Sequence, residues 1–181
     1  MAINFDDVKN IWVYAEQRHG KLMNVALELI GEGYRLSREM PEGTKVCGVL
    51  IGAEEDVKPL EAELFAYGAD EVYVLADPLL KQYTTDGYAK VLTDAIEEIK
   101  PEIVIFGATH IGRDLAPRVA ARLDTGLTAD CTQLDIGDFP LNPMPGSAMG
   151  SSILKGLPFV SEVLLKIYRT VGINWERMGN V

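Results

Sequence analysis

The chain has 181 residues, of which 48% are hydrophobic and 24% charged, enough for one domain with a sizeable core. Its formal net charge of −10 argues against nucleic acid or an anionic membrane as a partner, because such surfaces require a clustered basic face. The acidic start Met1–Asp7 is unlike a secretory signal, and no apolar run is long enough to span a bilayer. We therefore expect a cytoplasmic protein without membrane insertion.

Strand-like apolar runs alternate with helical patterns along most of the chain. The predicted strands are Ile11–Ala15, Lys45–Ile51, Glu71–Leu75, Ile103–Phe106 and Thr132–Ile136. The predicted helices are Leu22–Met40, Ala53–Tyr67, Thr85–Ile99 and Leu115–Leu123, with Gly68 as a C-terminal cap and Pro117 near a helix start. This rhythm predicts an α/β fold, a doubly wound and mostly parallel sheet with helices on both faces.

The alternation of strand and helix patterns ends after Ile136, and the composition of the chain changes there. Residues 1–137 form the predicted α/β domain, and residues 138–181 form an atypical tail. In that tail, Phe139–Ser152 is rich in Pro, Gly and Ser and is typical of a linker. Phe159–Val171 has an apolar stripe at helical spacing, which predicts an amphipathic helix that needs a surface to cover.

The segment from Gly107 to Arg118 is the main candidate for a functional site. It follows a buried strand and opens a helix, which is where open α/β sheets hold their ligands. Gly107, Thr109, Gly112 and Arg113 are the candidate cofactor-binding residues, because turn N–H groups and a fixed positive charge suit an anion or nucleotide. A structural explanation stays open: the glycines permit a tight turn, Thr109 caps the helix, and Arg113 pairs with Asp114 or a partner subunit.

The remaining reactive side chains indicate no catalytic or metal centre. His19 and His110 are the two histidines, far apart in sequence, and neither has a serine or cysteine obviously poised beside it. We place His19 in the loop after the first strand and His110 in the candidate turn. Cys47 and Cys131 are interpreted as buried small hydrophobes.

Several blocks of this sequence resemble the N-terminal domain of the electron-transfer flavoprotein alpha subunit. They are Val13-Tyr14-Ala15-Glu16, Tyr67–Tyr73, Pro101, and above all Gly107–Thr132. The resemblance implies a sheet like that of the adenine-nucleotide alpha-hydrolase group. It also implies a heterodimer with a beta subunit, and FAD held in the assembled heterodimer rather than by this chain alone. Electrons would pass between an acyl-CoA dehydrogenase, related flavoprotein or NADH and another flavoprotein.

On this resemblance the chain is a component of an electron carrier rather than a catalyst with its own active site. We expect it to stop before the FAD-binding domain of the family, because Pro140–Val181 lacks that domain's pattern. Two alternatives stay open. In the first, the chain is a stand-alone adenine-nucleotide-binding domain that uses the Gly107–Arg113 turn. In the second, it is a fragment that folds but has lost its cofactor site.

Overall fold

The computed structural model describes residues 9–129 together with Leu134 and Ile136. In chain order the elements are β1 (Ile11–Tyr14), β2 (Gln17–Arg18), β3 (Lys21–Leu22), α1 (Asn24–Ser37), β4 (Val46–Gly52), α2 (Glu54–Val57), α3 (Glu61–Ala66), β5 (Glu71–Ala76), α4 (Thr85–Ile99), β6 (Ile103–Ile105) and α5 (His110–Arg122). Single 3₁₀ turns at Lys58–Leu60 and Pro78–Leu80 precede α3 and follow β5. None of the helices in this described part is long and apolar enough to cross a membrane.

Four strands form a parallel sheet in the order β5-β4-β1-β6. The chain moves outward from β1 through β4 to β5, then returns to place β6 on the other side of β1. The direction of winding therefore reverses between β1 and β6, and ligands of open α/β sheets bind at such a point. The predicted α/β fold with a mostly parallel sheet is confirmed.

Each strand contributes side chains to two separate apolar layers because alternate residues point to opposite faces. Ile11 and Val13 pack with α1 and α3 on one face. Trp12 and Tyr14 pack with α4 and α5 on the other face. Burial on both faces explains why the strands are almost continuously apolar, and the arrangement is that of a doubly wound sheet. Cys47 is buried as expected, and burial raises the pKa of its thiol to about 12.

Two differences between the predicted and observed helices involve prolines. The expected helix Ala53–Tyr67 is divided into α2, a 3₁₀ turn that contains Pro59, and α3. The prediction that Pro117 lies near a helix start is wrong, because α5 begins at His110 and Pro117 lies inside it. The helix starts early because Thr109 caps it in extended conformation.

Several sequence predictions fall outside the described residues. They are the strand Thr132–Ile136 as a whole, the linker Phe139–Ser152, the helix Phe159–Val171 and the burial of Cys131. Leu134 is described: its side chain is buried in the layer that contains α1, and its carbonyl accepts a hydrogen bond from Arg35.

Two glycines of α1 provide a test of how tightly that helix packs on the sheet. A Cβ at Gly33 would lie 2.9 Å from Cγ1 of buried Val46, whereas a Cβ at Gly31 would meet nothing within 4 Å. We expect Gly33→Ala to lower the free energy of unfolding by about 1–3 kcal/mol through overpacking. The matched change Gly31→Ala should raise it by about 0.5–1 kcal/mol, because alanine restricts the unfolded chain and favours helix. Urea unfolding measures both, and equal effects would contradict the close packing of α1.

Candidate functional site

The carboxyl ends of β1 and β6 are joined through one buried carboxylate. Glu16, two residues after the end of β1, is 1% exposed, and its Oε1 accepts hydrogen bonds from Nε (3.0 Å) and Nη2 (2.8 Å) of Arg18. Its Oε2 accepts a hydrogen bond from the Thr109 hydroxyl, which precedes α5. A buried charge is costly unless it is paired and hydrogen-bonded, so these contacts fix the two strand ends against each other.

Thr109 is also the N-cap residue of helix α5. Its Oγ1 accepts a hydrogen bond from the Gly112 N–H at 3.0 Å while its O–H donates to Glu16. The structural role proposed for Thr109, a helix N-cap, is therefore confirmed. The same side chain positions the helix and the buried carboxylate.

Gly112 lies against the end of β6 too closely for any side chain. A Cβ at this position would be 1.8 Å from the backbone carbonyl oxygen of Gly107 and 2.9 Å from the carbonyl carbon. The space beside Gly112 is thus filled by the protein's own backbone. Glycine here allows the first turn of α5 to pack on the strand end.

Arg113 and Asp114 take different partners. Arg113 is exposed, and its Nε donates to the Ala108 carbonyl at 3.1 Å. The Asp114 carboxylate accepts from the Thr85 hydroxyl and from the Tyr83 hydroxyl, the latter at 2.7 Å. These two hydrogen bonds, that of Thr85 foremost, hold the pKa of Asp114 below its usual range. Asp114 therefore connects α5 to the start of α4.

All four candidate cofactor residues lie in one turn at the carboxyl end of β6, as the sequence predicts. Gly107 and Gly112 contact each other, Thr109 caps the helix, and Arg113 is the exposed member. A role in cofactor binding stays a prediction for these residues. Glu16 and Arg18 are not among the site residues predicted from the sequence, because nothing local shows that a charged pair after β1 will meet Thr109.

A cleft of about 510 Å³ opens beside this turn. Its walls follow the four strands of the sheet: the β2–β3 hairpin after β1, Asp56 after β4, residues 81–83 after β5, and the start of α5 after β6. His19 occupies the two-residue turn of the hairpin with φ of 50°, next to Gly20 with φ of 71°. The loop placement of His19 is confirmed, and both histidines line the cleft.

The contact of Gly112 with β6 generates a stability prediction. Gly112→Ala should lower the free energy of unfolding by at least about 3 kcal/mol, because a backbone carbonyl cannot move aside as a side-chain tip can. Gly31→Ala is the matched control, since it makes the same chemical change in a helix where space is open. Thermal melts and urea unfolding report the difference. A Gly112→Ala variant as stable as the parent would show that α5 does not depend on this contact.

Comparison with known proteins agrees with this architecture. Residues 11–144 match the family model described as the electron transfer flavoprotein domain. The chain is 51% identical over 149 residues to the electron transfer flavoprotein subunit alpha of Thermoanaerobacterium thermosaccharolyticum, which covers 82% of this chain and 44% of that protein. It is 49% identical over 134 residues to the subunit of the same name from Clostridium acetobutylicum, covering 74% of this chain and 39% of that protein.

A third relative has a different name. The acryloyl-CoA reductase electron transfer subunit beta of Anaerotignum propionicum is 56% identical over 139 residues, which cover 75% of this chain and 37% of that protein. The chain thus spans less than half the length of these three relatives. The family match covers well over half of the chain, and the resemblance seen in the sequence is confirmed. The chain belongs to the electron transfer flavoprotein family.

Proposed function

We propose that this chain serves as scaffold and interface in an FAD-dependent heterodimeric electron carrier. The observation that carries the proposal is the family match over residues 11–144. The relatives named electron transfer flavoprotein subunit alpha support a role in electron transfer. The chain would then be a component of a carrier and not a catalyst with its own active site.

The proposed partner is an electron transfer flavoprotein beta subunit. The word subunit in the names of the relatives supports an assembly of more than one chain. We propose that the assembled carrier accepts electrons from an acyl-CoA dehydrogenase, a related flavoprotein or NADH and passes them to another flavoprotein. An acyl-CoA-type redox partner agrees with the acryloyl-CoA reductase named in one relative.

The Gly107–Arg113 turn fits an interface better than a complete flavin site. The Gly107 carbonyl occupies the space beside Gly112, so a phosphate has no room to bind there. Arg113 lies exposed at the start of α5, where its positive charge can meet an anionic group brought by a partner. We propose that this residue contacts the beta subunit or a phosphate of FAD. The flavin, when bound in the heterodimer, supplies the redox chemistry.

The isolated chain should purify without stoichiometric flavin. The reason is that the Gly107 carbonyl fills the space beside Gly112 in the turn after β6, and Thr109 is already bonded to Glu16 and Gly112. The measurement is the visible absorbance of the purified chain, alone and after mixing with a beta subunit and FAD. Retention of flavin only in the mixture supports the carrier assignment. A yellow chain holding one flavin per polypeptide without any partner would contradict it.

Arg113→Ala should separate an interface role from a structural one. We expect the melting temperature to change little, since exposed substitutions usually alter stability by no more than about 0.5 kcal/mol. Loss of a charge that meets a partner carboxylate or a flavin phosphate should weaken association by roughly 2–5 kcal/mol. The measurement is a titration with the beta subunit in the presence of FAD.

Arg122→Ala is the matched control, because Arg122 is an exposed arginine at the other end of the same helix. It should leave both stability and association unchanged. A large loss of stability in Arg113→Ala with normal association would mean that Arg113 is an internal structural partner. That result would remove it from the proposed interface.

A further inference from the structure

Helix α3 ends in an exposed apolar patch. Among the described residues five large hydrophobic side chains are exposed, and two of them, Phe65 (47%) and Tyr67 (56%), lie within three positions at the end of α3. The other three lie singly on α1, after β5 and at the end of α4. Leu64 on the same helix is fully buried in the layer that contains α1. Helix α3 is therefore anchored through Leu64, and its two aromatic rings are left toward solvent.

Strand β5 extends this patch because it is the edge strand of the sheet that the structure describes. It pairs with β4 and contacts α3, and residues 71–75 are all half-buried. Val72 and Val74 point to the face that contains α3, where they pack only partly against the apolar layer. Phe65, Tyr67, Val72 and Val74 together form what we call the α3–β5 surface. Proteins commonly cover an apolar edge strand of this kind, often with a helix, because its unpaired backbone groups otherwise invite another strand.

The chain around the α3–β5 surface is acidic. Residues 61–71, from the start of α3 to the start of β5, include four carboxylates and no basic side chain: Glu61, Glu63, Asp70 and Glu71. Glu71 is paired with Lys45, whereas Glu63 forms no ion pair with any residue that the structure describes. Glu61 shares Lys58 with Glu54, which holds the lysine at 3.0 Å. A segment with basic groups beside an apolar stripe therefore complements this surface.

Segment 159–171, which lies outside the described residues, has the matching composition. Its sequence predicts an amphipathic helix whose apolar stripe consists of Val160, Val163, Leu164, Ile167, Tyr168 and Val171. The segment carries Lys166 and Arg169 against Glu162, so it is basic in a chain whose net charge is −10. A helix this short is marginal in water by itself. It therefore needs an apolar surface, and an acidic one suits its charge.

The described structure places the start of the connecting chain on the required face. Leu134 is buried in the layer that contains α1 and α3, and Ile136 packs against the same layer. The Arg35 guanidinium donates to the Leu134 carbonyl, and Glu39 accepts from the Ile136 N–H at 3.4 Å. Residues 137–158 span up to roughly 70 Å when extended, about twice the width of a domain of this size. The predicted helix can therefore reach α3 without leaving this face of the sheet.

We propose that segment 159–171 docks as a helix on the α3–β5 surface of its own chain. Its apolar stripe covers the rings of Phe65 and Tyr67 and the half-buried valines of β5, and its net positive charge lies beside the carboxylates of α3. The docked helix shields the edge of β5 from pairing with a strand of another chain. The contact involves none of the residues on which the carrier role proposed above rests, and it does not depend on that role.

Hydrogen exchange of the full chain, read by mass spectrometry, tests this contact. Backbone amides of segment 159–171 should exchange at least about tenfold more slowly than those of an unstructured peptide of the same sequence, because so short a helix persists only when docked. The protection should not depend on protein concentration, since the contact lies within one chain. Exchange at the unstructured rate would overturn the proposal and leave the surface to a partner chain. Protection that rises with concentration would also overturn it and assign the contact to a second copy.

Two exposed apolar residues allow a matched comparison. Phe65→Ser should speed exchange in segment 159–171 by at least about fivefold, because it removes an aromatic ring from the docking surface. Ile99→Ser should change that rate by less than about twofold, because Ile99 is exposed at the end of α4, which covers the opposite face of the sheet. Amides of the fully buried strand β4 should stay protected in both variants, which reports that the domain is folded. Equal effects of the two changes would overturn the proposed surface.

A charge variant in the segment itself gives an independent measurement that leaves the described domain unaltered. Lys166→Glu with Arg169→Glu should speed exchange in the segment by at least about fivefold, because it brings acidic groups to an acidic surface. The charge-conserving pair Lys166→Arg with Arg169→Lys is the matched control and should change the rate by less than about twofold, since all three residue types favour helix similarly. Equal rates in the two variants would overturn docking on this surface. These measurements use neither FAD nor a beta subunit, so their outcome is separate from that of the carrier assignment.

Discussion

The direct contact between Gly112 and the Gly107 carbonyl sets the arrangement of the segment that joins β6 to α5. It brings the first turn of α5 against the end of β6 with no side chain between them. Thr109 is then placed to cap the helix and to donate to Glu16 after β1. Asp114, one turn further along α5, reaches Tyr83 and Thr85 at the start of α4. One close backbone approach therefore orients three separate segments of the chain.

Burial of Glu16 adds an electrostatic constraint at the same place. A carboxylate removed from water must be compensated, and here two bonds from Arg18 and one from Thr109 provide the compensation. Arg18 belongs to the short hairpin that leaves β1, so the buried charge also fixes the orientation of that hairpin. The hairpin and the start of α5 are in turn two walls of the cleft.

The turn between β6 and α5 combines residues that pack within the domain with one residue that is exposed to solvent. Gly107, Thr109 and Gly112 are committed to contacts within the domain, and Arg113 is the exposed residue next to them. The cleft beside the turn is lined mostly by residues that follow the other strands. The packing of the turn and the chemistry of the cleft are therefore separable, since they rest on different side chains.

The sequence alone determined the α/β class, the four strands of the parallel sheet and the limits of α4, because long apolar runs and helical periodicity are local signals. It also located the turn after β6 and the cap at Thr109, since both depend on residues close in the chain. Tertiary structure decided why Gly112 must lack a side chain and that Glu16 meets Thr109 across 93 positions. It likewise brought His19 and His110 to one cleft. These contacts join residues from different strands, and no local pattern records the order in which strands lie side by side.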